Sequence, residues 1–243
     1  MGTHRAAEPP EPIQPSLLTF HDAATGEYTT LSASELGECA AQVAGLLREG
    51  CGLDAGGRAA VLLPPHWLTA AVLMGGWSAG LELSLQGKAT AGLAVHEPEA
   101  DSPYDVSFVA AGRIGSWLEN VPVAKHQFSL FTEEPPPGYR DLETAIDDFS
   151  PHLPAFGHTR PGDAATPDGT SYGQWGALAA EIAGQLGLRP GDRLLVDANE
   201  HEHPLKWLLA PLAAGASVVI CANGTPEVLD ALAVREETTH SLR

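Results

Sequence analysis

The chain repeats its own pattern, and a repeat of this kind restricts the fold to a paired architecture. Residues Gly52 to Leu85 align without a gap on Gly187 to Ile220, at an offset of 135, with nine identities that include Gly56/Gly191, Arg58/Arg193, His66/His201 and Gly80/Gly215. Upstream the offset becomes 139, because Arg48–Cys51 is extra in the first copy. The physical pattern repeats more faithfully than the letters. Ser32-Ala-Ser-Glu35 and Ser171-Tyr-Gly-Gln174 are both capping boxes, in which hydroxyl and carboxylate or amide satisfy free N–H groups at a helix start. The stripes Leu36, Cys39, Val43, Leu47 and Trp175, Leu178, Ile182, Leu186 follow at helical spacing, so each helix is expected to bury that face.

A glycine turn then leads into Arg58–Leu63 or Arg193–Val196, short apolar runs suited to buried parallel strands. Helices follow at Leu68–Ala79 and Leu205–Ala214. Gly80 and Gly215 are placed as left-handed caps, with the strands "LELSL" and "ASVVI" after them. Helix, strand, helix, strand, twice, predicts an α/β protein of two pseudo-symmetric Rossmann-like lobes, with mostly parallel sheets and helices on their faces.

Between the copies, Tyr104–Gly112 predicts a strand, Ile114–Asn120 a helix, Gln127–Phe131 a strand, and "YRDLETAIDDF" a short acidic helix. The Pro- and Gly-rich stretch Pro151–Gly169 is the expected linker. The division is therefore a disordered lead-in at residues 1–15, a first lobe at 16–160 and a second at 161–243, packed as one unit.

A formal charge of −18 repels phosphate backbones and anionic lipid heads, which argues against nucleic-acid and membrane partners. The longest apolar run, Trp67–Gly80, is too short to span a bilayer, and residues 1–15 lack the apolar core of a secretory signal. A cytoplasmic protein is expected. Cys39, Cys51 and Cys221 are widely spaced and form neither a zinc pattern nor a disulfide framework.

The run from Thr170 to Ile220, with its helix start, alanine-rich helix, "GLRPGDRLLV" and "PLAAGASVVI", resembles the opening of AMP-binding, adenylate-forming enzymes such as acyl-CoA synthetases. "LSASELGECAAQVAGLL" and "AAVLLPPHW" fit the same pattern. The second lobe also matches a later segment of those enzymes, through "PLAAGASVVI" and "TPEVLDALAVREETTH". On that alignment His201 or His203 stands near a histidine by the acyl pocket, with the spacing fitting His201 better. More narrowly, the chain is similar to a small family of short bacterial proteins with distant likeness to those enzymes. The resemblance implies the fold of their N-terminal domain and, as ligand classes, ATP or AMP, coenzyme A and acyl groups.

The departures are as informative. The enzymes hold ATP with a Ser/Thr/Gly-rich loop ending in lysine, where backbone N–H groups and the cation neutralise phosphate. "ATPDGTSYGQW" at Ala165–Trp175 stands in that place without a lysine. Lys88, Lys125 and Lys206 are the only lysines, and none sits in a matching motif. The sequence stops at about half the enzymes' length, before their small domain with its catalytic lysine. "GLELSLQGKAT" at Gly80–Thr90 is not a nucleotide P-loop, because its glycines are two residues too far apart and Ala89 replaces the magnesium-binding hydroxyl.

In open α/β sheets, ligands bind beyond the carboxyl ends of the strands. Pro65, His66 and Trp67 of the first copy and Asn199, His201 and His203 of the second lie there, and are the candidate ligand-binding residues. His201 and His203 are weak metal candidates, since a catalytic zinc needs a third ligand and only His66 offers one. There is no G-x-S-x-G elbow. Asp147 and Asp148 belong to a solvated helix face, and Arg58 and Arg193 are expected to pair with acids. The expected function is a non-catalytic or truncated relative of adenylate-forming enzymes, binding an acyl or nucleotide-like molecule or a protein partner. The alternative is an enzyme working in an inter-lobe cleft lined by His66, His201 and His203, with or without a metal.

Overall fold

A computed structural model describes residues 16–87, 104–115, 121–152 and 159–243. The lead-in at 1–15, Lys88, Ala89 and Thr90, and the core of the expected linker at 153–158 lie outside the described residues.

The chain opens with a hairpin, β1 (Ser16–Asp22) and β2 (Tyr28–Ser32), that the repeat did not announce. Next come α1 (Ala33–Gly45), β3 (Arg58–Leu62), α2 (Trp67–Ser78) and β4 (Glu82–Leu85). The middle contributes β5 (Tyr104–Ala110), β6 (Ala124–Leu130), β7 (Arg140–Asp141) and the short α3 (Leu142–Ile146). The second copy supplies α4 (Tyr172–Gln185), β8 (Arg193–Asp197), α5 (Ala210–Ala214), β9 (Ser217–Ala222), α6 (Pro226–Arg235) and β10 (His240–Leu242). After β5 comes a single tight turn at Ala111–Arg113, and most of the helix expected at Ile114–Asn120 lies outside the described residues.

The strands form two five-stranded sheets, ordered β4-β3-β5-β6-β7 and β10-β8-β9-β1-β2. Every pairing is parallel except β1 with β2. The hairpin, counted with the first lobe by its place in the chain, is hydrogen-bonded into the sheet of the second, with Phe20 opposite Ile220. One cycle of chain thus ties both sheets together.

Alternation along the strands sorts the layers. Val61 and Phe108 from one sheet and Leu18, Val196 and Ile220 from the other point inward, to a single core shared with α1 and α2. Ala60, Leu62 and Val109 face outward on the first sheet, while Leu195, Val219 and Cys221 face outward on the second, where α6 covers them with Leu229 and Leu232. The central helices touch closely: a Cβ on Gly75 of α2 would lie 2.6 Å from the Ala40 carbonyl oxygen of α1. Only glycine lets the two backbones approach this far.

Both capping boxes form, Ser32 with Glu35 and Ser171 with Gln174. The repeat's glycines adopt left-handed backbone in both copies, with φ of 84° and 87° at Gly56 and Gly191 and 81° and 69° at Gly80 and Gly215. The four extra residues of the first copy are absorbed by a wider helical turn at Leu46–Gly50, closed by the Cys51 N–H donating to the Leu46 carbonyl. The second apolar stripe is displaced: Ala179 and Ala183 are the buried residues of α4, and Leu178 is 43% exposed. Alanine on the neighbouring row lets α4 sit close to α5, so the larger side chains flank the contact instead of filling it.

Candidate functional site

The carboxyl ends of β1, β3, β5, β6, β8 and β9 open onto one cleft of about 1120 Å³ between the sheets. This is where parallel α/β sheets place ligands, since the loops there project beyond the last hydrogen-bonded residue. Two loop residues, Phe131 after β6 and Asn223 after β9, hold left-handed backbone at φ of 63° and 53°, and both line the cleft. Positive φ is uncommon for a side-chain-bearing residue and concentrates at such loops.

Pro65, His66 and Trp67 all line this cleft. His66 is the N-cap of α2: its backbone is extended, and Nδ1 accepts from the Leu68 N–H at 3.1 Å. Accepting at Nδ1 puts the proton of the neutral ring on Nε2, which donates to Glu27 Oε1 at 3.3 Å. The ring is edge-on to Phe20 and Phe131, with centroids 4.1 and 4.5 Å away, and the residue is only 6% exposed. Burial dominates its titration and pulls its pKa down to about 4, against a smaller upward pull from Glu27. The Trp67 indole N–H donates to the same Glu27 oxygen at 3.1 Å. The Thr29 hydroxyl donates to it as well, at 3.4 Å, so Glu27 is fixed by three neutral donors.

The second loop is built differently. Asn199 donates its N–H to Asp197 Oδ1 at 2.9 Å and lies in the wall of the large cleft and of a neighbouring cavity of about 400 Å³. His201 and His203 line the smaller cavity, whose far wall is the apolar set Val61, Leu63, Leu73 and Leu85. His201 Nε2 is buried and has no hydrogen-bond partner among the described residues. His203 stacks on Trp175, rings 5.6 Å apart and parallel within 1°, and its Nδ1 accepts from the Leu205 N–H at 3.4 Å. In capping terms the counterpart of His66 is therefore His203, although the sequence offset pairs His66 with His201.

The three histidines consequently do not share one chamber: His66 faces the large cleft, and His201 and His203 face the small one. Among the described residues no three His, Cys, Asp or Glu side chains gather as a metal-holding set. The partition between the chambers is Glu202, which accepts from Arg113 Nη2 at 3.4 Å, while Arg113 Nη1 donates to the Gln86 carbonyl at 2.9 Å. Sequence reasoning missed Glu27, Arg113 and Glu202. Glu202 alone carried a signal, as the residue between the two histidines.

The segment Ala164–Ser171, overlapping the stretch where the resemblance sought a phosphate loop, is closed on itself. Ala164 and Ser171 pair in an antiparallel bridge, and between them Asp168 Oδ1 accepts from Thr166 Oγ1 at 2.6 Å and from the Thr170 N–H at 3.0 Å. The Thr166 hydroxyl and then the Thr170 groups hold the Asp168 carboxyl below the usual range. The Ala165 carbonyl accepts from the Leu83 N–H and from the Trp77 indole, which fixes the segment to the edge of β4. Lys125 pairs with Asp105 at 2.9 Å, Lys206 lines the small cavity, and Lys88 lies outside the described residues. Arg58 and Arg193 pair with Glu82 and Glu236. Asp147 and Asp148 are exposed. Among the described residues no helix is long and apolar enough to cross a membrane.

No family model matches the chain. Among solved structures, it superposes on an acyl-CoA synthetase from Brucella canis with a TM-score of 0.71 at 18% identity, over 95% of this chain and 45% of that one. Acetoacetyl-CoA synthetase from Streptomyces lividans gives 0.68 at 20% identity, over 94% and 40%. The N-terminal domain of FACL13 from Mycobacterium tuberculosis gives 0.64 at 17% identity, over 93% and 58%. The chain thus spans less than half the length of the two synthetases, and at these identities the likeness is one of fold: the two-sheet α/β architecture of the N-terminal domain of adenylate-forming enzymes. A protein from Mycobacterium tuberculosis (strain ATCC 25618 / H37Rv), described as a TIGR03089 family protein, is 32% identical over 244 residues, covering 96% of this chain and 93% of its own length. The chain belongs to the TIGR03089 family.

Proposed function

We propose that this chain is a non-catalytic, ligand-binding relative of the N-terminal domain of adenylate-forming enzymes, holding the apolar body of an acyl- or aryl-type small molecule in the cavity lined by His201 and His203. The observation that carries this reading is the closed segment Ala164–Ser171. Asp168 takes up the Thr170 N–H and the Thr166 hydroxyl, so these donors are already spent on a carboxylate, whereas a phosphate would need free donors and a cation. Like charges at contact distance repel, and no lysine in the segment offsets this.

The small cavity supports the ligand half. Its volume of about 400 Å³ falls in the range of small-molecule sites, and Val61, Leu63, Leu73 and Leu85 give it an apolar wall beside the polar Asn199–His203 loop. Two measurements test the two halves separately. ATP–pyrophosphate exchange with a panel of carboxylic acids is expected at the level of a buffer blank, and exchange above it refutes the non-catalytic half. Octyl and benzyl probes are expected to raise the melting midpoint by binding the native state. No rise with any of them refutes the ligand half.

A further inference from the structure

The large cleft adjoins the small cavity through Asn199 and Glu202, which stand in both walls. Its charged lining is mostly acidic. Asp22, Glu27, Glu133, Glu143 and Glu202 contribute carboxylates, and Arg113, the single lysine or arginine of the lining among the described residues, is paired with Glu202. Asp22 is also engaged, accepting from Asn223 Nδ2 at 2.9 Å and from the Ala24 N–H at 2.8 Å.

Glu27 is different in kind. Its Oε1 is held by the Trp67 indole N–H, by the Nε2–H of a neutral, capped His66 and by the Thr29 hydroxyl. Neutral donors fix the direction of a carboxylate without cancelling its charge. The same structural unit brings the aromatic rings of Trp67 and Phe131 to the cleft wall, and Glu27 keeps 40% of its side chain exposed there. An oriented carboxylate among aromatic rings is the chemistry that recognises an organic ammonium ion. Burial, and then the neighbouring carboxylates Asp141, Glu27 and Asp147, push the Glu143 carboxyl above its ordinary range, as expected where negative charge lacks a counter-charge.

We infer that the cleft takes a cationic head group, an alkyl- or arylammonium, whose apolar part enters the adjoining cavity. This rests on the ligand-binding reading of that cavity and names the charge class of its ligand. It also separates the chain from the anionic chemistry of adenylates and coenzyme A, which would bring phosphates against these carboxylates.

The test is calorimetric titration of the full chain at neutral pH with octylamine, octanoate and octanol, which share a tail and differ in head group. Octylamine is expected to bind more tightly than octanol, and octanoate more weakly than either. Glu27→Gln is expected to weaken octylamine by about tenfold or more, the worth of one charge-assisted contact, and to leave octanol unchanged. Trp67→Phe keeps an aromatic face but removes the indole N–H that holds Glu27, with part of the π surface, and is expected to weaken octylamine alone. Should Glu27→Gln fail to fold, Trp67→Phe decides the matter by itself. Octanoate binding as tightly as octylamine, or octylamine affinity unchanged in the folded variants, overturns the inference and leaves the cavity reading standing. Binding by none of the three overturns the inference, and where no benzyl probe raises the melting midpoint either it overturns both.

Discussion

Replacing His66 by asparagine separates the two things this residue does, capping a helix and refusing a proton. Asparagine is among the strongest N-cap residues, so the start of α2 keeps an acceptor for the Leu68 N–H. What is lost is a buried imidazole whose pKa falls from 6.5 to about 4 on folding, chiefly because burial penalises the imidazolium. Above pH 6.5 the ring is neutral in both the folded and unfolded chains and exerts no pH-dependent effect. Between pH 6.5 and pH 4 the unfolded chain takes up a proton that the native chain refuses, so the native state loses stability as the pH falls. Below pH 4 both forms are protonated and the loss is complete. At about 1.4 kcal/mol per pKa unit, the full loss is about 3 kcal/mol. The assay is urea denaturation of wild type and H66N across this range. H66N is expected to be the less stable protein at neutral pH, because the packing against Phe20 and Phe131 and the Nε2–H donated to Glu27 are gone. The gap between the two should then shrink by about 3 kcal/mol as the pH falls to 4, since carboxylates away from His66 cancel in the difference. A gap that stays constant or widens refutes the argument that His66 is held neutral by burial.

Three further perturbations probe the frame around the site. Gly75→Ala puts a methyl 2.6 Å from the Ala40 carbonyl oxygen and 2.7 Å from Val43 Cβ. Helix propensity favours alanine by ~1 kcal/mol, but overpacking costs ~1–3 kcal/mol, so the melting midpoint should drop instead of rising. Ser171→Ala removes the hydroxyl that accepts from the Gln174 N–H and is expected to cost ~1 kcal/mol by chemical denaturation. Arg113→Met leaves Glu202 in the partition between the chambers without that cation, and a loss of ~3 kcal/mol is expected in the same assay.

The repeat made much of the fold legible, because capping serines, left-handed glycines and short apolar strands impose their geometry locally. Gly56, Gly80, Gly191 and Gly215 adopt the backbone their positions demanded, and both serine caps close as their spacing required. Three features were hidden because their cause is not local. The β1–β2 hairpin lies outside the repeat, and its membership of the second sheet is decided by Leu18 to Asp22 pairing with Val218 to Ala222, two hundred residues away. The buried row of α4 is Ala179 and Ala183, which hydrophobicity alone ranks below Leu178. At the site, Pro65, His66 and Trp67 could be placed from the strand before them, whereas Glu27 comes from the turn of that unannounced hairpin and carries no signal of its own.

The two loops diverge in what their histidines do. In the first loop, four residues separate β3 from α2, and His66 must cap the helix at once, which spends Nδ1 and buries the ring between Phe20 and Phe131. In the second, seven residues lie between β8 and the helical turn at Leu205, and the capping contact to that turn comes from His203. His201, at the sequence position of His66, is thereby released from capping and left against an apolar chamber with a buried, unmatched nitrogen. A buried polar atom without a partner is costly, and a structure keeps one where a bound group or an ordered water completes it. The longer loop thus moves the capping contact two residues on, to His203, while the shorter loop uses its histidine both to cap α2 and to hold Glu27 at the neighbouring cleft.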